Sequence, residues 1–168
     1  MSVAYVVKSL MSLGWASLTC TPSDKAVKQL AESWVWLLRE PFVPVLFSAL
    51  GDVFLQLDSG GVWWLNTGVG ELTKVAESVQ EFRELLGTEL ADDWFMPTLI
   101  QSLHAAGKIA QPGQCYNYVT LPVFAEGKYD VANLNPVPAH EHFMLTGHLL
   151  SEINGLPDGA KVKINVVP

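Results

Sequence analysis

Hydrophobic and polar positions alternate most clearly between Gly51 and Ser78. Val53, Leu55 and Leu57 interleave with Phe54, Gln56 and Asp58, and after Asp58-Ser59-Gly60-Gly61 a second apolar run, Val62 to Leu65, returns with two tryptophans. Period-two spacing of β-branched and aromatic residues around a turn of Asp, Ser and Gly predicts a β-hairpin. A third extended run, Leu72 to Ala76, makes an antiparallel meander the economical reading, with Gly68-Val69-Gly70 as the turn before it. Both faces of the first two strands carry apolar residues. The sheet is therefore expected to be covered on each side, or to meet a partner on one.

Elsewhere the period changes to three and four, the signature of helices with one buried face. Val3, Val6, Val7, Leu10, Leu13 and Leu18 predict an N-terminal helix ending around Gly14. Thr21-Pro22-Ser23-Asp24 supplies a cap for a second helix, whose stripe is Val27, Leu30, Trp34, Leu37 and Leu38 and which Pro41 terminates. Val45 to Leu50 fits either a short helical turn or an extended approach to the meander. Ser78 caps a short helix carrying Val79, Phe82, Leu85 and Leu86, closed by Gly87, with Glu81 and Glu84 facing solvent. Asp92 or Asp93 is expected to cap the next helix, with Trp94, Leu99, Leu103 and Ala106 on its apolar side, Pro97 in its first turn and Gly107 as its stop.

Cys115 to Phe124 reads as an edge strand or loop, and Asn133 to Pro138, with two prolines and two asparagines, as a loop. A helix from about Ala139 to Asn154 follows, offering Phe143, Leu145, Leu149, Leu150 and Ile153 for burial. After the turn Leu156-Pro157-Asp158-Gly159, the alternation Lys161 to Val166 predicts a last, half-exposed strand. The fold class is α+β: a mainly antiparallel sheet, made of the central meander plus the C-terminal strand, packed with several helices. With 168 residues and no repeat or linker, residues 1–168 form one domain.

Composition narrows the function. Charged residues make up 16% of the chain against roughly 25% in ordinary soluble domains, so more apolar surface than usual is buried or touches a partner. The formal net charge is −7, and residues 52–93 alone hold nine acidic and two basic side chains, a net −7 of their own. Direct binding to nucleic acid needs a basic surface and is disfavoured, whereas a basic protein partner is compatible. The acidic excess also fits a solvated face that keeps the molecule soluble.

Cys20 and Cys115 lie far apart and fit a reducing cytoplasm better than a disulfide framework. The N-terminus lacks the charge order of a signal peptide, and no run approaches the roughly 18 apolar residues of a membrane span. Among candidates for chemistry, His140, Glu141, His142 and His148 stand closest together. On a helix His140 and His142 diverge, so surface or capping histidines are the favoured reading. Asp92 and Asp93 fit helix capping better than a catalytic pair. No catalytic residue, cofactor site or metal site is expected.

Four blocks carry a family resemblance: Ser33-Trp34-Val35-Trp36, the stretch SALGDVFLQLDSGGVWWLNTGVGELTKVAESVQEF, the later LPVFAEGKYDVANLNPVPAHEHF, and the closing LPDGAKVKI. In this order they resemble the C-terminal domain of type VI secretion system immunity proteins that neutralise DNase effectors. Gly51-Asp52-Val53-Phe54 is the most telling piece. The likeness covers residues 30–164, and residues 1–30 form an N-terminal helical extension outside it.

The resemblance implies a cytoplasmic, non-enzymatic protein that binds a cognate secreted toxin, a basic nuclease, and blocks its active site or substrate groove. Under that reading the toxin-binding surface draws on Asp58, Glu81, Glu84, Glu89, Asp92 and Asp93, with Trp63 or Trp94 as an exposed aromatic anchor. A small adaptor or ligand-binding module, and a histidine-dependent enzyme, are the rival readings. Pairing of the chain with itself stays open.

Overall fold

The computed structural model describes residues 13–165. Most of the expected N-terminal helix lies outside the described residues; its end, residues 13–18, is helical and runs past Gly14 to Leu18. The core element is a five-stranded antiparallel meander whose strands follow one another in space as in sequence: β1 (Thr19–Cys20), β2 (Phe42–Ser48), β3 (Val53–Leu57), β4 (Val62–Asn66) and β5 (Glu71–Ala76). The expected hairpin is β3–β4, with Phe54 opposite Trp64 and Leu55 opposite Trp63. Of Val45 to Leu50, Val45 to Ser48 are extended in β2, which has a bulge between Pro44 and Leu46, and Ala49 and Leu50 form the turn after it.

Val53, Phe54 and Leu55 are all fully buried, so β3 is covered on both faces, as its two-sided apolar pattern implies. Successive side chains point to opposite faces, and each face has its own cover. Phe54 meets Phe82, Trp94 and Phe95, at centroid distances of 4.8, 5.2 and 5.5 Å. These come from α2 (Val79–Leu85) and α3 (Leu90–Phe95). On the other face Phe47, the cross-strand partner of Val53, lies 6.0 Å from Phe143 of α5 (Ala139–Ile153). Beside α5 runs α1 (Asp24–Ser33), whose cap is the expected Ser23, its hydroxyl accepting from the Ala26 N–H. The two helices cross at Gly147, where a Cβ would stand 2.6 Å from the Ser33 carbonyl oxygen, and the Trp36 indole donates to the Gly147 carbonyl at 3.1 Å. The fold is α+β, a sheet between two helical layers.

Three expectations are corrected. The helix expected around residues 92–107 is two, α3 and α4 (Pro97–Ala105), separated by Met96 in the left-handed region at φ 46°. Pro97 bars its predecessor from the right-handed helical region, so the chain must break there. Asp92 and Asp93 consequently sit inside the first turn of α3 and cap nothing.

The expected loop 133–138 is largely a strand, β7 (Leu134–Pro138), paired antiparallel with β6 (Gln114–Tyr118) in a second, two-stranded sheet. Hydrogen bonds at the ladder's flanks, Val119 N–H to Asn133 O and Ala139 N–H to Gly113 O, place the odd-numbered residues in hydrogen-bonded pairs. Pro136 and Pro138 are both even. Neither is asked for an N–H, and the ladder survives two prolines.

Over the described residues 161–165 the expected C-terminal strand does not form: they are exposed and carry no ladder, and Val166 lies outside the described residues. Alternation makes a segment competent for a strand, but only a free, register-matched edge with apolar neighbours converts it into one. The described helices include none long and apolar enough to cross a membrane.

Candidate functional site

The acidic residues singled out from sequence separate into a ridge and an outlier. Ser78 caps α2 by accepting from the Glu81 N–H at 3.1 Å, while the Glu81 carboxylate accepts from the Glu77 N–H at 2.5 Å, a reciprocal arrangement close to a capping box. Glu77 in turn holds Lys74 at 2.7 Å. Glu84 accepts from the Gln80 amide, and Glu81, Glu84, Glu89 and Asp93 are exposed. Asp92 is half-buried, and burial, then the neighbouring Asp93 and Glu89 charges, raise its carboxyl above the ordinary range. One of its oxygens is buried with no partner among the described residues. The segment from α2 into α3 thus carries five of the expected carboxylates, four exposed and Asp92 half-buried, on two short helices joined by a turn, with Arg83 the basic side chain between them.

Asp58 is exposed in the β3–β4 turn, away from this segment in sequence. The aromatic expectations divide. Trp63 is half-buried, its indole donating to the Gly60 carbonyl at 3.1 Å and so folded back over the turn. Trp94 is 5% exposed, packed against Phe54 and Phe82. It is a core residue, and the reading of Trp94 as a surface anchor is corrected: its place on the inner stripe of α3 decides its burial.

The histidine reading is corrected in one member. His148 is a surface residue 3.2 Å from Glu152, and His140 is partly exposed. His142 is fully buried. Its Nδ1 lies 2.9 Å from Asn117 Oδ1 on β6 and its Nε2 2.8 Å from Thr67 Oγ1 in the β4–β5 turn. The same Thr67 hydroxyl lies 3.1 Å from both the Gly51 carbonyl and Asp52 Oδ1.

Asp52 is itself 4% exposed, and its carboxylate accepts from the Thr67 N–H at 2.9 Å and the Trp64 indole at 3.2 Å, while its own N–H donates to the Ser48 hydroxyl. Burial pushes the Asp52 carboxyl up to about 6, only partly offset by its bonds to Thr67 and Trp64, and pushes the His142 imidazole down to about 4. These residues form a closed polar cluster joining the meander, the second sheet and α5. Sequence reasoning singled out the Gly51-Asp52 pair only as a motif and missed the role of Thr67, Asn117 and His142. Nothing but the helical spacing of His142 with Ala139, Phe143 and Thr146 marks it as inward-facing.

Neither thiol is activated. Cys115 is buried and Cys20 half-buried, both are free, and burial pushes the Cys20 thiol up to about 11. Among the described residues no group of three or more His, Cys, Asp or Glu side chains is placed to hold a metal ion.

No curated protein matches the chain. Its structure is similar to the crystal structure of Atu4351 from Agrobacterium tumefaciens, with a TM-score of 0.49 and 16% identity over 77% of this chain and 65% of that one. The chain therefore spans 65% of that protein's length. The segment from the last residue of β5 through most of α5 holds the acidic ridge, His142 and Asn117, whereas Asp52, Thr67, Asp58 and Trp63 precede it. That segment, residues 76–150, matches the family described as T6SS immunity protein Tdi1, C-terminal.

Proposed function

We propose that this chain is a cytoplasmic immunity protein that binds a cognate toxin of a type VI secretion system, a basic nuclease, and blocks its active site or substrate groove without catalysing a reaction. The observation that carries the reading is the family match over residues 76–150, which encloses the carboxylates of α2 and α3. A nuclease groove is built to take phosphates. Exposed carboxylates clustered along one segment offer it a competing surface, steer the encounter and disfavour partners of the wrong charge.

Within the ridge the residues differ in what they can contribute. Glu81 is engaged in the cap of α2, and Asp92 is half-buried, whereas Glu84, Glu89 and Asp93 are exposed and free of ion pairs among the described residues. The contact is proposed to rest on these three, with Asp58 and Trp63 at its margin.

Co-expression with the toxin encoded beside this chain tests the reading. The wild-type chain should rescue growth and form a one-to-one complex. A Glu84→Lys, Glu89→Lys, Asp93→Lys triple variant should keep its fold, weaken the complex by roughly tenfold or more, and lose part of its salt dependence. Rescue and affinity unchanged in the triple variant would remove the ridge from the interface. Absence of any complex with the neighbouring toxin would remove the immunity reading itself.

A further inference from the structure

The buried cluster contains a hydroxyl with one proton and three acceptors around it. Thr67 Oγ1 stands 2.8 Å from His142 Nε2 and 3.1 Å from both Asp52 Oδ1 and the Gly51 carbonyl. At the far side of the imidazole, Nδ1 meets the Asn117 amide at 2.9 Å. Asn117 also lines a groove of about 180 Å³ between β6 and α5, with Val119, Leu121, Leu145 and Leu149 among its walls. A neutral imidazole donates from one nitrogen and accepts at the other, and a side-chain amide donates from nitrogen and accepts at oxygen. The members of this chain cannot choose their orientations independently.

From this geometry we infer that Asp52, Thr67, His142 and Asn117 form a proton-orientation relay, in which the ionisation of Asp52 sets the tautomer of His142 and the orientation of the Asn117 amide in the groove wall. With Asp52 protonated, its O–H donates to Thr67 Oγ1, the Thr67 hydroxyl donates to His142 Nε2, and His142 Nδ1–H donates to Asn117 Oδ1. Asp52, Thr67, His142 and Asn117 then each have a partner of the right kind, and the Gly51 carbonyl gives up the Thr67 hydroxyl.

When Asp52 releases its proton to solvent, the carboxylate outcompetes both the neutral Gly51 carbonyl and the imidazole for the Thr67 hydroxyl. Thr67 Oγ1 is left as an acceptor facing His142 Nε2. The imidazole keeps one proton, exchanged through solvent from Nδ1 to Nε2, and now donates to Thr67. Its bare Nδ1 needs a donor, which Asn117 supplies by turning its amide about χ2. The amide atom left for the groove changes from the NH₂ donor to the carbonyl acceptor. Leaving the amide unturned would strand two acceptors against each other in a buried site, at about 1–3 kcal/mol.

Among the described residues that face the pair, no other group changes charge over this range. Asp52 is faced by Ser48 from β2, Trp64 and Thr67 from β4 and its turn, Cys115 and Tyr118 from β6, and Tyr129. Burial raises the Cys115 thiol and the Tyr118 and Tyr129 phenols, which stay neutral through the titration of a carboxyl. His142 is faced by Gly51, Thr67, Asn117 and the Phe143 ring, and its lowered pKa keeps the imidazole singly protonated while Asp52 titrates near 6. The inference does not depend on the toxin-binding reading.

Two-bond ¹H–¹⁵N correlation spectra of the ¹⁵N-labelled full chain between about pH 5 and 8 read the tautomer directly. His142 should pass from the Nδ1–H to the Nε2–H form with a midpoint near 6, the pKa of Asp52. The transition should vanish in Asp52→Asn and in Thr67→Val, and persist in Thr67→Ser, which keeps the hydroxyl. A single tautomer across the range, a doubly protonated His142 at the midpoint, or an unchanged transition in Asp52→Asn would overturn the relay. If Asp52→Asn does not fold, the Thr67→Ser and Thr67→Val pair decides alone.

Discussion

A Gly51→Ala variant is expected to lose roughly 4 kcal/mol or more of folding stability, a large effect for one added methyl group. Gly51 has φ +80°, a conformation that costs an L-residue about 1–2 kcal/mol. The added Cβ would stand 2.2 Å from His142 Nε2 and 2.5 Å from the next ring carbon. The imidazole is held on both nitrogens, so it cannot withdraw without breaking its bond to Thr67 or to Asn117. Crowding of this kind adds about 1–3 kcal/mol, and a stranded buried polar group about as much again.

Thermal unfolding checks it: the midpoint should fall by roughly 10 °C or more. Gly113→Ala is the control, because Gly113 shares φ +80° but has no atom within 4 Å of the added Cβ, so it should cost only the backbone term of about 1–2 kcal/mol. Equal losses in the two variants would show that the imidazole contact contributes nothing. A Gly51→Ala, His142→Ala pair should be less damaging together than the sum of its parts, since removing the ring removes the collision.

The elements that sequence predicts well are those whose determinants are local. The Asp58-Ser59-Gly60-Gly61 turn and the alternation on either side of it make the β3–β4 hairpin legible, and Ser23 and Ser78 cap their helices by accepting from backbone N–H groups three residues on. Where a second, non-local condition decides, the pattern misleads. Pro97 is legible as a first-turn residue, but its effect falls on Met96 and splits one expected helix into two. Two prolines mark residues 133–138 as loop, and only the parity of their pairing with β6 shows that the ladder tolerates both. Residues 161–165 alternate as a strand should, yet stay exposed and pair with no described strand.

The candidate site was legible to the same degree. The exposure of Glu81, Glu84, Glu89 and Asp93 follows from their polar character, whereas Trp94 needed the position of Phe54 before its burial could be known. The polar cluster was the least legible part, because its members come from four separate regions: Asp52 from the entry to β3, Thr67 from the β4–β5 turn, Asn117 from β6 and His142 from α5. On α5 the apolar count favours Leu145, which is 52% exposed, over His142, which is buried. A polar residue belongs to the inner stripe only when partners elsewhere in the chain wait for it.

That cluster also sets the pH dependence of stability, and the expected result is two variants with slopes of opposite sign. Asp52 has its folded pKa raised, from 3.8 to about 6. Its contribution is fully present below 3.8 and is lost as pH rises through about 6. His142 has its folded pKa lowered, from 6.5 to about 4, so its contribution is present above 6.5 and is lost as pH falls through about 4. Each shift corresponds to roughly 3 kcal/mol across its window. The windows nearly coincide and the signs are opposite, so in the wild type the pair contributes little slope between about pH 4 and 6.5.

Removing one member exposes the other. Asp52→Asn should lose about 3 kcal/mol, relative to wild type, as pH is lowered from 6.5 to 4, because only the imidazole's reluctance to protonate remains. His142→Gln should gain by a similar amount over the same descent, because only the buried carboxyl's preference for its proton remains. Urea unfolding of the three proteins at a series of pH values reads this as differences, in which every exposed carboxylate cancels. Parallel curves for all three would mean that the two groups are not titrating inside the folded core, and slopes of the same sign would mean that they do not oppose one another. The opposition matters for the fold because the cluster ties both sheets to α5: a junction whose two titrating members offset each other keeps these elements in register through a pH range in which either one alone would strain it.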